Sequence, residues 1–262
     1  MTHPRSQDAV LGGQTPPPQS GVVLGGLAHA HTIAWWALND GDSIARDRNG
    51  KHPGTIHYAT LESSNEGVQR SLRFDGETSH IRVNNGVDLN LGRRDFSICF
   101  WLRLPLAIPP VMTVLGKEHP LDFAGGWCVV IYEGKLACIL KPEYGGLYER
   151  YLLPDRQLND DQWHHITITV DRNSATGHWY IDGTMVSQPF FLRYPMGLLT
   201  NSLPLYLGRA ADQPRYWLLG HLADVRLLKR SLSPPQVRLV YESVNVAPDN
   251  YTHKLLETGL RL

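Results

Sequence analysis

Cysteine is scarce in this chain. Cys99, Cys128 and Cys138 are the only three in 262 residues, which excludes a fully paired disulfide framework and points to free thiols buried in strands. Cys128 and Cys138 flank Glu133-Gly134-Lys135 and face each other across a hairpin only if its loop has an odd number of residues. An excess of charge of one sign is also lacking: 25 Lys and Arg balance 25 Asp and Glu, so no overall field draws nucleic acid or an anionic membrane. No apolar run reaches bilayer length, and Met1–Asp8 leads into Gly and Pro rather than an apolar signal core. The expectation is a soluble, cytoplasmic protein with neither nucleic-acid nor membrane partners. Gly12-Gly13, Gly25-Gly26 and Gly145-Gly146 lack the spacing and following helix of a phosphate loop, and no G-x-S-x-G elbow is present.

Residues 1–30 stand apart in composition. A Pro-rich spacer, Gln14–Gly21, separates two copies of Val-Leu-Gly-Gly at 10–13 and 23–26, so the segment reads as an extended linker. The alternative is a peptide that docks on a partner chain by strand addition. From residue 31 onward, short apolar strands are punctuated by Asp-Gly and Asn-Gly turns, as expected of an all-β sandwich or barrel. Trp163–Asp171 is rich in Thr, Ile and Val and suits a pleated, half-buried surface, while Asp182-Gly183 supplies the positive φ angles of a tight hairpin. Near the end, Ser233-Pro234-Pro235-Gln236 predicts a short helix over 234–242, with Ser233 as cap, Pro234 in the first position and Gln236 completing the capping box. This divides the chain into a segment 1–30, a domain 31–242 and a tail 243–262.

Two runs then carry a family resemblance: W-H-H-I-x-I-T-x-D from Trp163, and W-Y-I-D-G-x-x-V from Trp179. Together with W-x-L-x-D-G, L-x-F-D-G, D-F-S-I-x-F-W and L-A-D-V-R-L in order, the chain resembles laminin-G-like jelly rolls of the concanavalin A-like lectin/glucanase superfamily over roughly residues 32–242. The resemblance implies a two-sheet antiparallel jelly-roll β-sandwich with a short C-terminal helix. It also implies two kinds of function, because that superfamily holds catalysts and binding modules. Its laminarinase-type hydrolases place acids as E-x-D-x-x-E along one strand, since the pleat aims alternate side chains at one sugar. No such run occurs here, so the expectation is a non-catalytic module that binds a protein or a glycan. The alternatives are a polysaccharide-cleaving enzyme with scattered carboxylates and a self-associating structural protein.

Candidate site residues follow from the same two sources. The resemblance implies one structural calcium ion, with Asp224 on the last long strand and Asp47 in the Arg-Asp-Arg-Asn-Gly loop as oxygen ligands. The other reading is that Asp47 caps its own turn and Asp224 pairs with an arginine such as Arg46 or Arg226. Sugar stacking needs an exposed aromatic beside polar side chains, which selects Tyr144, Tyr148 and Arg150, and Tyr216 with Trp217, with Trp127 near the same edge. Trp35, Trp101, Trp163 and Trp179 lie inside strand patterns and are read as core. His164 and His165 are adjacent on a strand, hence one inward and one outward rather than joint metal ligands.

Overall fold

The structure is a computed structural model that describes residues 31–63, 70–118, 125–142, 149–153, 156–192, 197–211 and 214–244. The Val-Leu-Gly-Gly copies, Tyr144, Tyr148 and the tail beyond Val244 lie outside them. Among the described residues the strands are β1 (Thr32–Trp36), β2 (Ile44–Ala45), β3 (Gly54–His57), β4 (Thr60–Ser63), β5 (Arg70–Asp75), β6 (His80–Val83), β7 (Phe96–Arg103), β8 (Val111–Gly116) and β9 (Gly126–Tyr132). They continue as β10 (Lys135–Lys141), β11 (Glu149–Leu152), β12 (Trp163–Asp171), β13 (Thr176–Ile181), β14 (Thr184–Met185), β15 (Phe190–Phe191), β16 (Leu205–Leu207) and β17 (Leu219–Leu228), before one helix, α1 (Pro234–Val244).

Two antiparallel sheets form a jelly-roll sandwich. The first runs β14-β13-β12-β7-β17-β5-β4, with β1 also on β17 and β15 on β13; the second runs β11-β10-β9-β8-β16-β6-β3-β2. Strand alternation decides what lies between them: Ile98, Phe100 and Leu102 of β7, Ile166, Ile168 and Val170 of β12, and Leu136, Cys138 and Leu140 of β10 all join one buried cluster. Trp36, Trp127 and Trp179 are its fully buried tryptophans, and the Trp36 indole donates to the His52 carbonyl at 2.7 Å, satisfying the one polar atom it carries inward.

Turn chemistry fixes the registers. Asp182 and Gly183 have φ of 51° and 75° and close a two-residue loop in which Ile181 faces Thr184, the geometry that matches strand twist. Glu133 and Gly134, at 51° and 79°, do the same between β9 and β10, so Tyr132 faces Lys135, Cys128 faces Ile139 and Cys138 faces Val129. The loop is even, the two cysteines sit in different pairs, and all three thiols are free and buried.

The helix seals the outer face of the first sheet. Val237 and Val240 pack with Cys99, Tyr180 and Leu228, and Tyr241 with Trp101, Trp163 and Ala223. Gln236 Oε1 accepts from the Ser233 amide at 3.0 Å, the return half of the capping box, and the helix runs two residues past the expected end. This seal changes the reading of two tryptophans: Trp101 and Trp163 point away from the central core, Trp101 stacking on Tyr241 of α1 at 5.6 Å between ring centroids and Trp163 packing beside it against His221. Trp35 is also outward, under the Arg226 guanidinium at 4.2 Å. Likewise the histidine pair splits by parity, yet neither ring is open to solvent. His165 is fully buried beside Trp101 and Tyr241, and burial pushes it down to a pKa of about 3.

Candidate functional site at the sheet rim

The outward face of the second sheet gathers an aromatic and cationic cluster at one rim. Pairing of β3 with β6 sets His57 opposite His80, and their rings stack at 4.5 Å with an interplanar angle of 11°. Pairing of β6 with β16 sets Tyr206 opposite Arg82. In Leu205-Tyr206-Leu207 the leucines face the core, which turns Tyr206 outward, 5.8 Å from His80 between ring centroids. The chain leaving β16 brings Arg209 over the Tyr206 ring at 3.9 Å and toward Trp217 at 5.6 Å. Trp217 closes the group, 5.5 Å from His80.

Local structure holds each part. Asp75 accepts from the amides of Glu77, Thr78 and Ser79 and from the Thr78 hydroxyl, fixing the turn that delivers His80. Partial burial opposes ionisation there, yet these donors outweigh it and hold the carboxyl well below the ordinary range. His80 Nδ1 lies 2.9 Å from the Thr78 carbonyl, so Nδ1 carries the donated hydrogen and Nε2 is left free to accept. Burial is the main reason that the His80 pKa is lowered; the Thr78 carbonyl opposes it and the charges of Arg209 and His57 add to it. On the other side, Thr113 of β8 donates to the Tyr216 carbonyl at 2.7 Å and Ala210 to the Arg215 carbonyl at 3.1 Å. These bonds hold Tyr216 at φ 54°, a left-handed conformation uncommon for a residue of this size, and aim Trp217 back over the sheet.

Of the residues selected from sequence, Tyr216 and Trp217 come to this rim. Arg150 does not: it lies on β11 opposite Ile139, over the Tyr132 ring at 4.8 Å, four ladder steps from Tyr206 and so roughly 19 Å away at strand spacing. Trp127 belongs to the core rather than to an edge. His57, His80, Tyr206 and Arg209 were not selected. Alternation in Leu205-Tyr206-Leu207 and in His80-Ile81-Arg82-Val83 carried a signal that these side chains face outward, but not that they meet. Apart from the cluster, the β7–β8 loop and the Glu133-Gly134 turn frame a cavity of about 300 Å³ lined by Leu106, Ile108, Pro109, Pro110, Glu133 and Asn159.

The proposed calcium ligands can be tested against their partners. Asp47 Oδ1 accepts from the amides of Trp35 and Asn49, and Oδ2 from those of Lys51 and His52. Asp224, at φ 49° in the bulge of β17, accepts from the Trp35 indole and lies 2.8 Å from an Arg226 nitrogen. Both carboxylates are engaged by N–H donors, and among the described residues no group of three His, Cys, Asp or Glu is placed to hold a metal. They fit a turn cap and an ion pair; they do not fit an oxygen cage for a hard cation. Arg46 is engaged elsewhere, with Asp40 and Asp42.

Comparisons with known proteins bear on the scaffold. The family model described as the concanavalin A-like lectin/glucanases superfamily matches residues 75–238. Paraclostridial mosquitocidal protein 1 of Paraclostridium bifermentans is 23% identical over 186 residues, 66% of this chain and 14% of that protein. The binding domain of that protein superposes with a TM-score of 0.63 at 18% identity, over 81% of this chain and 52% of its own. A structure concerned with botulinum neurotoxin type C, whose cell entry depends on interaction with two ganglioside molecules, gives 0.63 at 12% identity, over 84% and 53%. The binding domain of botulinum neurotoxin DC in complex with rat synaptotagmin II gives 0.60 at 14%, over 81% and 52%. The chain therefore spans about half the length of those binding domains and a small part of the curated relative, and at these identities the likeness is one of fold.

Proposed function

Because the chain belongs to the concanavalin A-like lectin/glucanases superfamily, we propose that it is a non-catalytic recognition module that binds a carbohydrate at the rim formed by His80, Tyr206, Arg209 and Trp217. The observation that carries this reading is the half-buried Trp217 ring, braced by His80 and Arg209 over the outward face of β6 and β16. Such a ring stacks on the C–H face of a pyranose while neighbouring donors reach its hydroxyls. Sugar hydrolysis calls for two carboxyl groups flanking the bond, roughly 5–9.5 Å apart. Among the described residues, none of His57, His80, Tyr206, Arg209 and Trp217 bonds to a carboxylate. Two similar structures, named as binding domains, support the same class of function.

A glycan array probed with the full chain and with Trp217→Ala tests the reading. The expected result is a binding set present in the first and lost in the second. Hydrolysis of any polysaccharide in a broad panel, measured as new reducing ends, would refute the non-catalytic part. A protein partner is the second reading, favoured by one observation: Leu106, in the apolar loop beside the cavity, is 73% exposed. Leu106→Glu abolishing a pull-down that Trp217→Ala leaves intact would select it.

A further inference from the structure

Resting on the reading of the rim as a binding site, we infer that the His57–His80 stack is an acid switch on it: protons on both rings break the stack, release Trp217 and empty the rim. Register sets the pair, because His57 of β3 and His80 of β6 are direct antiparallel partners and such partners share one face of a sheet. Their rings lie 4.5 Å apart at 11°. That separation suits neutral imidazoles, or one imidazolium on one imidazole, but sets two imidazolium charges face to face, and like charges directly opposite on a sheet are destabilising. Other histidines of the domain are placed differently. His52 lies against Asp88, His164 against Asp160 and Asp182, and His221 against Glu62, all within 3.1 Å, so a charge on those rings meets a counter-charge. Among the described residues, His57 and His80 have each other and the Thr78 carbonyl instead.

The groups around the pair do not relieve that repulsion. On β6, Arg82 shares the face of His80 and donates to Asn84 Oδ1 at 2.6 Å. From the end of β16, Arg209 lies over Tyr206 and toward Trp217, and in the segment that carries Trp217, Arg215 lies over the Tyr216 ring at 5.2 Å. Nearby acids are engaged by other donors: Asp75 by the amides of its own turn, and Asp42, on the β2 side of His57, by Arg46 at 2.5 Å. Glu77 is exposed in the turn before His80. Burial above all, with the charges of Arg209 and His57 behind it, lowers the His80 pKa against the pull of the Thr78 carbonyl, which keeps that ring neutral at neutral pH. His80 and Arg209 are the two side chains braced against Trp217. When His80 is driven off His57 the indole loses one of them and no longer presents a fixed face, so a sugar that needs the braced ring binds the neutral pair and is released by acid.

The experiment has two arms, both on the full chain. Two-dimensional NMR of the indole N–H signals, with that of Trp217 assigned by its loss in Trp217→Phe, follows the rim from pH 8 to pH 5. The Trp217 signal is expected to shift or broaden as pH falls below about 6.5, while those of the core residues Trp36, Trp127 and Trp179 stay in place and show that the fold persists. His57→Gln and His80→Gln each leave one ring to protonate, and each should cut the Trp217 response at least threefold; His164→Gln, outside the stack, should not change it. In the second arm the glycan array is probed at pH 7.5 and pH 5. Signals present at pH 7.5 are expected to fall tenfold or more at pH 5 in the wild type and less than threefold in His57→Gln. A Trp217 signal that stays still down to pH 5, or moves as far in both stack variants as in the wild type, would overturn the switch whether or not sugars bind. Array signals equal at the two pH values would overturn it as well and keep the rim as a sugar site. The expected Trp217 response with a blank array at both pH values would uphold the switch and sink the sugar reading.

Discussion

Replacing Asp47 by alanine has a cost that follows from its four hydrogen bonds. The carboxylate is 6% exposed and accepts main-chain N–H groups from Trp35, Asn49, Lys51 and His52 at 2.9, 3.0, 3.1 and 3.0 Å. It thereby ties the 47–52 turn to β1. Losing the acceptor of a charged hydrogen bond costs about 1–3 kcal/mol when the donor stays buried, and much less when water replaces it. Lys51 is exposed and rehydrates freely, Asn49 partly; Trp35 and His52 do so least. The sum is about 4 kcal/mol, and at roughly 2–4 °C per kcal/mol for a domain of this size the melting temperature falls by about 8–16 °C. Urea unfolding followed by tryptophan fluorescence reads it as a lower midpoint at unchanged slope. Asp47→Asn should fall between, because one amide oxygen keeps two of the four donors and the NH₂ opposes the others. The reasoning is refuted if alanine costs under about 1 kcal/mol, or if millimolar calcium stabilises the wild type but not the alanine variant. The second result would make the carboxylate a cation ligand, whereas the four donors predict no calcium-dependent shift.

Three further outcomes are expected. His164 lies 3.0 Å from Asp182 and 3.1 Å from Asp160; the Asp182 hydrogen bond raises its pKa above 6.5 against partial burial, with Asp160 adding to the rise. A raised group stabilises while protonated, so its contribution is complete below pH 6.5 and is lost as pH climbs through the raised value. The urea midpoint of the wild type should therefore fall relative to His164→Gln between pH 6 and 8.5, and parallel curves would refute the pairing. Gly208 has φ 90° and a Cβ built there would lie 2.5 Å from the fully buried Phe74 ring, so Gly208→Ala should cost about 2–4 kcal/mol from backbone strain and overpacking, checked by the same unfolding assay. Burial pushes the Cys99 and Cys138 thiols up to about 12 and Cys128 well above its ordinary value. No thiol should react with an aromatic disulfide reagent in the native protein, and three should react in guanidinium; a fast native reaction would contradict the buried placement.

The scaffold was legible because its signals are local. Asp182-Gly183 specifies its turn through φ alone, Gln236 reaches back to Ser233 within one helical turn, and parity separates His164 from His165 without any tertiary knowledge. Legibility ended where two environments compete for one pattern. β9 is buried on both faces, so Gly126–Tyr132 shows no alternation and nothing in it says that Trp127 faces the core. Trp101 and Trp163 read as core because they sit inside strand patterns, whereas Trp101 is covered on the outer face by Tyr241 of a helix far downstream in sequence, and no strand pattern encodes that cover. The rim failed for another reason. His57, His80, Tyr206 and Trp217 meet only because the jelly roll lays β16 beside β6 and β6 beside β3, a long-range order that residue spacing does not contain. Tyr216 and Trp217 were found as aromatics in a loop; Arg150 was chosen in a separate tyrosine-rich stretch, and spacing alone did not say that β11 lies four strands from β16.

One consequence of the helix seal concerns how the domain is mounted. β1 is hydrogen-bonded to β17, and α1 lies on the same sheet, so the described chain both enters and leaves through one layer. Anything spliced to residue 31 or residue 244 hangs from that layer, and the opposite one stands clear of both attachments. In a sensor chip, a particle coat or a fusion, attachment at residue 31 or at residue 244 would thus sit on the sheet opposite the one that carries the rim cluster.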